Sequence, residues 1–352
     1  MTAPTGCEPA GGAVTRKPRL SNIELLRLLS MFMVLVLHAD YAALGVPAAA
    51  DLSVLPADTA ARVLLEQLSL VAVNVFVLIS GWFGVRLTVR SLGSLLFQVL
   101  FYAVVIAAVV AATLGIPAAQ RPTAWLTLLP GYHHWFIRSY IGLMLLSPVL
   151  NAFTEGCTVR RLAVVTGSFF AFQTLYGWIC GADGFLNGYS LLSFIGLYLL
   201  GHLAHRLQWH TRCRRATVWI YPGCAVANTA VTFLVLACHG SVPAWVNSYN
   251  SPLVIGGALG LVLTFAGMKP WTSRMVNAAA ASSLAVYLIH FNPLLFTHYL
   301  AASRSLYRHL PAGAGMVAIL LFAAAVFCAC LAVDRLRVWI VAPRGIEPRS
   351  KV

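Results

Sequence analysis

Apolar stretches of about 17–25 residues alternate with short polar breaks along almost the whole chain. Ten stand out: 20–41, 65–84, 92–114, 135–153, 162–181, 189–207, 217–239, 252–268, 278–301 and 313–334. Runs of that length, rising 1.5 Å per residue as helix, cross a hydrocarbon layer about 30 Å thick. The pattern therefore predicts an all-α polytopic membrane protein, with about ten transmembrane helices in one bundle. The breaks are too short for a soluble domain, so any chemistry must sit within the bundle or at its mouths. Residues 1–18, rich in Ala, Pro, Gly and Thr, are expected to be a disordered tail. Residues 19–338 form the membrane domain, and 339–352 a short basic tail. The tail before the first span has no cleavable apolar core, so the first helix itself is the expected targeting signal.

Composition agrees with this picture. The 352 residues are 60% apolar and only 10% charged, where a soluble protein carries about 25% charged residues. A net charge of +14 in a soluble protein would suggest nucleic acid. Here its distribution explains it without such a partner. Eighteen of the 24 Lys and Arg fall in alternate segments that include the N-terminal tail, and only five (Arg62, Arg121, Arg138, Arg304 and Arg308) in the others. Positive charge marks the cytoplasmic side, so both termini are expected in the cytoplasm, in a plasma (inner) membrane. The first outer segment is the acidic complement, with Asp40, Asp51, Asp58 and Glu66 against Arg62. Eight scattered cysteines contain no Cys-x-x-Cys pair, so no metal site is predicted; Cys180 and Cys238 both fall near the outer face.

The first span carries the polar residues hardest to explain by packing. Glu24, Arg27 and His38 lie in an otherwise apolar helix, where a charge at the bilayer centre costs roughly 3 kcal/mol or more unless it faces a bundle interior or a wet cavity. The eleven-residue step from Arg27 to His38 is three turns plus about 20°, so both project from one face, about 16 Å apart along the axis. Glu24 lies about 40° from that line and is placed for an i,i+3 ion pair with Arg27. Asn74 sits in mid-span, where interhelical hydrogen bonding is the plain alternative to a role in a site. Arg86 and Arg90 follow the second span one turn apart, suited either to anchoring at the interface or to phosphate. Trp135 and Arg138 enter the fourth span, and Tyr287 and His290 lie in the ninth after small residues 278–283. There is no Gly-x-Ser-x-Gly elbow, phosphate-binding glycine loop or His-Glu-x-x-His. With ten carboxylates, mostly between spans, paired-carboxylate hydrolysis and proton-driven transport lack raw material.

Four stretches, in order, resemble the membrane-bound acyltransferase-3 family. Arg27, ten residues and His38 resemble its Arg-x10-His signature. Val73–Phe83 resembles its Phe-x-x-Ser-Gly-Phe segment. Trp135-Phe136 through Ser147-Pro148-Val149-Leu150-Asn151 resembles its Trp-Phe…Ser-Pro-x-Leu helix, and Tyr287-Leu288-Ile289-His290 its Tyr-Leu-x-His segment. The resemblance covers the chain from about residue 19. No extra-cytoplasmic hydrolase-like domain, such as one branch of the family carries, is expected here, which leaves the acceptor open.

The resemblance implies transfer of an acyl group, usually acetyl, from cytoplasmic acyl-CoA as co-substrate, with no tightly bound cofactor, to a hydroxyl of a cell-surface glycan or glycolipid. Arg27 and His38, with Glu24 beside them, would be the catalytic group. Arg86, Arg90 and Asn74 would serve donor binding, with Arg206 a further phosphate contact. Trp135, Arg138, Tyr287 and His290 would be pocket residues, and Asn74 and Tyr287 donors to the thioester oxygen. The alternatives are transfer of another acyl group such as succinyl, and non-catalytic export of polysaccharide or lipid-linked glycan.

Overall fold

The computed structural model describes residues 19–113, 115, 129, 133–212, 214–311 and 313–341. The tail 1–18, the terminal stretch from 342, Cys7, Cys213 and most of the segment before Trp135 lie outside the described residues. All secondary structure described is helical. The helices are α1 (Ser21–Leu37), α2 (Ala49–Val54), α3 (Pro56–Ser69), α4 (Ala72–Phe83), α5 (Val89–Thr113), α6 (Trp135–Gly156), α7 (Val159–Phe172) and α8 (Leu191–Arg206). They continue as α9 (Trp209–Arg212), α10 (Arg214–His239), α11 (Pro252–Ala266), α12 (Arg274–Ala281), α13 (Ser283–His290), α14 (Pro293–His309) and α15 (Ala314–Val341). Two π-helical turns, His38–Ala42 and Gln173–Ile179, extend α1 and α7.

Local chemistry sets the helix ends. Pro56, Pro252 and Pro293 stand in the first turns of α3, α11 and α14, where a missing N–H costs nothing. Thr158, Ser190, Ser273 and Asn292 cap α7, α8, α12 and α14 by accepting from backbone amides of the first turn.

Each of the ten predicted apolar runs contains a helix. Among the described residues seven helices are long and apolar enough to cross a membrane, or eight if one bent pair is a single span, and the chain is a multi-pass membrane protein. The other two runs, α8 and α11, have only 16 and 15 helical residues. The expected continuous ninth span over 278–301 is corrected: it breaks after His290 and bends by 86° into α14. Pro293 cannot extend the ladder behind it, and Asn292 turns the chain and caps the new helix through its Oδ1, 3.0 Å from the Leu294 amide.

The expected second span also starts earlier. Residues 56–64, read as part of an outer segment, are the first turns of α3, which runs into α4 as one long span. Its polar residues Asp58, Arg62, Glu66 and Gln67 are buried. The four-residue steps from Asp58 to Arg62 to Glu66 put those three on one face, turned into the bundle. Arg62 pairs with Asp40 on the first π-helical turn (Nε–Oδ1 2.7 Å), and Asp58 accepts from the Tyr307 hydroxyl of α14. Gln67 donates to Asn247 (2.8 Å). Cys180 and Cys238 are both free.

In the most apolar stretches of α1 and of α3–α4, 61% and 72% of residues are buried, against 22–28% in the other long spans. These helices are thus the centre of the bundle. Glycine allows α8 to press against α4: a Cβ on Gly81 would lie 2.1 Å from the Tyr198 carbonyl oxygen, and one on Gly201 2.3 Å from that of Leu78. Small residues at such crossings replace the hydrophobic driving force that lipid removes.

Gly81→Ala and Gly201→Ala should each cost about 1–3 kcal/mol through overpacking against backbone that cannot yield. Gly93→Ala, with open space around it, should not destabilise. Thermal unfolding of the three variants in detergent checks this. Arg62→Leu should cost about 3–5 kcal/mol in the same assay, because it strands Asp40 without its cation.

Candidate active site

On α1 and the π-helical turn that extends it, Glu24, Arg27, Met31, Val34, His38 and Ala42 follow one another at steps of three or four residues and line one cavity of about 600 Å³. That step is the stripe a 3.6-residue turn makes co-facial, so the predicted common face of Glu24, Arg27 and His38 is present. The expected Glu24–Arg27 ion pair is not made. Among the described residues the ion pairs within 4 Å are Asp40–Arg62 and Asp334–Arg337. Both side chains instead line the cavity, where water can solvate each without the entropy cost of holding two long side chains in one geometry.

At His38 the helix changes pitch. The π-helical turn His38–Ala42 is the kind of local widening that recurs at functional sites. Opposite it stands the break between α13 and α14. His38 Nδ1 lies 2.9 Å from His290 Nε2, and His290 Nδ1 lies 2.6 Å from the Val286 carbonyl oxygen. Phe291 stacks on the His38 ring (centroids 4.9 Å apart, planes 17° apart), and Phe296 meets it edge-on at 5.1 Å.

From His38 a run of ring contacts continues round the cavity wall. Phe291 stacks on Tyr287 at 5.4 Å, and Tyr287 meets Phe136 at 6.0 Å. Phe136 meets Trp135 at 6.1 Å, and Trp135 meets Tyr189 at 4.5 Å. Tyr249 closes the group, 4.8 Å from Tyr189. The Tyr287 hydroxyl is buried with no acceptor for its proton.

The remaining predicted residues divide. Arg86 lines a second cavity of about 310 Å³, and Arg27, Ser80, Leu95 and Tyr140 border both cavities. The turn carrying Arg86 is tightly held. Gly84 takes a positive φ of 75°, which favours glycine. Asn151 Nδ2 donates to the Val85 carbonyl (2.8 Å), and the Val85 amide donates to the Tyr198 hydroxyl (2.9 Å). Asn74 does not line the main cavity: its amide is spent on the Tyr249 carbonyl (2.7 Å), so it holds an aromatic wall residue in place. Arg206 is likewise engaged, donating to the carbonyls of Thr154 and Cys157 at 2.6 and 2.9 Å. Arg90 and Arg138 are exposed and border neither cavity, as long cationic side chains do when they snorkel.

Tyr189, Tyr249, Phe291 and Phe296 had no mark in the sequence. Tyr189, Tyr249 and Phe291 come from three connections far apart in the chain and Phe296 from the first turns of α14, and aromatic residues at span ends look the same when they only anchor at the interface.

The family model described as an acyltransferase domain matches residues 20–334. No curated protein and no solved structure matches the chain. The matched span runs from the residue before α1 to Asp334 on α15 and contains all of the cavity lining except Arg19, and on that match the chain belongs to the acyltransferase-3 family of membrane proteins.

Proposed function

We propose that the protein moves an acyl group, acetyl in the first instance, from cytoplasmic acyl-CoA to a hydroxyl of a cell-surface or exopolysaccharide glycan. The observation that carries this reading is the single cavity joining Arg19, Glu24 and Arg27 to His38 and the aromatic wall. Arg27 and His38 are about 16 Å apart along the helix axis, close to the reach of an extended pantetheine arm, roughly 15–20 Å at ~1.5 Å per bond. Donor phosphates meet Arg86 and Arg27, where the two cavities share a border, and the arm runs along the α1 stripe to bring its thioester to His38. Guanidinium groups suit phosphate because they pair with it bidentately.

The aromatic wall suits the acceptor. Trp135, Tyr189 and Tyr249 combine apolar faces with polar tips, and a sugar ring offers C–H faces and hydroxyl edges to match. In the transfer, His38 takes the proton of the acceptor hydroxyl, the oxygen forms the new ester bond, and the carbon–sulfur bond breaks. The sulfur leaves with the proton as free thiol. An acyl-histidine intermediate is the other route open to the same side chain. The Tyr287 proton, lacking an acceptor, suits the oxygen that gains charge as the thioester is attacked.

Acetyl transfer from labelled acetyl-CoA is measured in membranes holding wild-type or variant protein at matched levels, with a glycan extract added. His38→Ala should lose at least ~10²-fold in transfer, the usual scale for a proton-transfer group, while still inserting. Label entering alkali-labile glycan esters equally in both would remove His38 from the chemistry. Label from succinyl-CoA alone would change the acyl group. Glycan accumulating inside cells that lack the protein, with acyl content unchanged, would point to export. In the same assay Arg27→Ala should raise the donor KM by about tenfold, one charge-assisted contact, and Trp135→Ala should raise the acceptor KM and leave the donor KM unchanged.

A further inference from the structure

We infer that His290 is the positioning residue for His38: it fixes the tautomer in which Nδ1 of His38 carries the proton and Nε2 is the nitrogen that meets substrate. The inference deepens the acyl-transfer reading and rests on it.

A carbonyl oxygen can only accept, so the 2.6 Å contact with Val286 puts a proton on His290 Nδ1. A neutral imidazole carries one N–H, which leaves His290 Nε2 as a lone pair. His38 Nδ1, 2.9 Å away, must then be the donor, and the lone pair of His38 falls on Nε2. The same chain drawn with His290 charged would place an imidazolium in an apolar bundle with no carboxylate bonded to it, at a cost of roughly 3 kcal/mol or more. Nε2 of His38 has no hydrogen-bond partner among the described residues, and His38 lines the cavity. Phe291 and Phe296 hold the ring from two sides.

His290 itself is buried, 3% exposed, and does not line the cavity, so it acts through His38. Its part matches that of the carboxylate in a Ser-His-Asp triad, which holds the imidazole in the right tautomer and supports the imidazolium that forms. Here the supporting acceptor is neutral, and its own orientation is set by the helix that carries it. When the acceptor hydroxyl gives its proton to Nε2, the Nδ1–H of the resulting imidazolium stays bonded to His290 until the proton leaves with the thiol.

Three substitutions separate this role from packing. The Oε1 of His290→Gln reaches the place of Nε2 and can accept from His38. The amide of His290→Asn reaches only the place of Nδ1. His290→Phe keeps the ring and removes both nitrogens. Transfer is measured per molecule of inserted protein, beside wild type and His38→Ala. His290→Gln should keep kcat within about tenfold of wild type, whereas His290→Asn and His290→Phe should lose ~10²-fold or more, with both KM values within about threefold, as for a lost tautomer lock. If His290→Phe fails to insert, the Asn–Gln pair decides. Equal kcat for Asn and Gln, a near-normal kcat for Phe, or a loss confined to KM would overturn the inference while wild type and His38→Ala still differ. A wild type that transfers no acyl group from any acyl-CoA would instead bring down the acyl-transfer reading, and the inference with it.

Discussion

Backbone that leaves the regular helix inside a membrane has no water to satisfy it, so other protein atoms must. The candidate site is built on that constraint. Two irregular stretches, the π-helical turn at His38–Ala42 and the break between α13 and α14, face each other, and α14 beyond the break satisfies backbone on either side of the turn. Tyr299 of α14 donates to the Leu35 carbonyl (2.9 Å) just before the turn, and Arg304 donates to that of Ala43 just after it (2.5 Å). Asn292 caps the helix that begins beyond the break. These bonds make the 86° bend affordable, and the bend brings His290, Phe291 and Phe296 onto the His38 ring.

A second buried cluster steadies the same region. Asp40, two residues beyond His38, is held by Arg62 of α3, whose guanidinium also lies 5.9 and 5.6 Å from the ring centroids of Tyr41 and Tyr307. Tyr307 in turn donates to Asp58. A buried ion pair seldom gains net stability over apolar packing, since desolvation offsets its Coulomb energy. What this one does is tie α3 and α14 to the turn that carries His38. The polar residues of the α3 face thus belong to the frame of the site.

The alignment of polar residues along α1 follows from helical geometry alone. Arg27 and His38 share a face because eleven residues close three turns, and that relation needs no other part of the chain. The apolar runs were legible for the same reason: period and length are local properties. Where the local reading failed, a local signal was outweighed. Asn292-Pro293 is a break signal, yet it sits inside an apolar run long enough to span. Asp58 and Arg62 look like part of a solvated segment because sequence gives no sign that Tyr307 and Asp40 wait to receive them.

The sequence by itself determined the membrane class, most of the long helices, the family resemblance and the polar stripe of α1, since each depends on neighbours within a few turns. Tertiary structure alone decided which nitrogen of His38 is free, that Asn74 serves Tyr249 instead of the cavity, and that Tyr189, Tyr249, Phe291 and Phe296 form one wall. Those facts depend on contacts between residues as many as 252 positions apart, as His38 and His290 are. A hydrogen bond or a ring stack is decided within a few tenths of an ångström, and no pattern along a chain carries that distance.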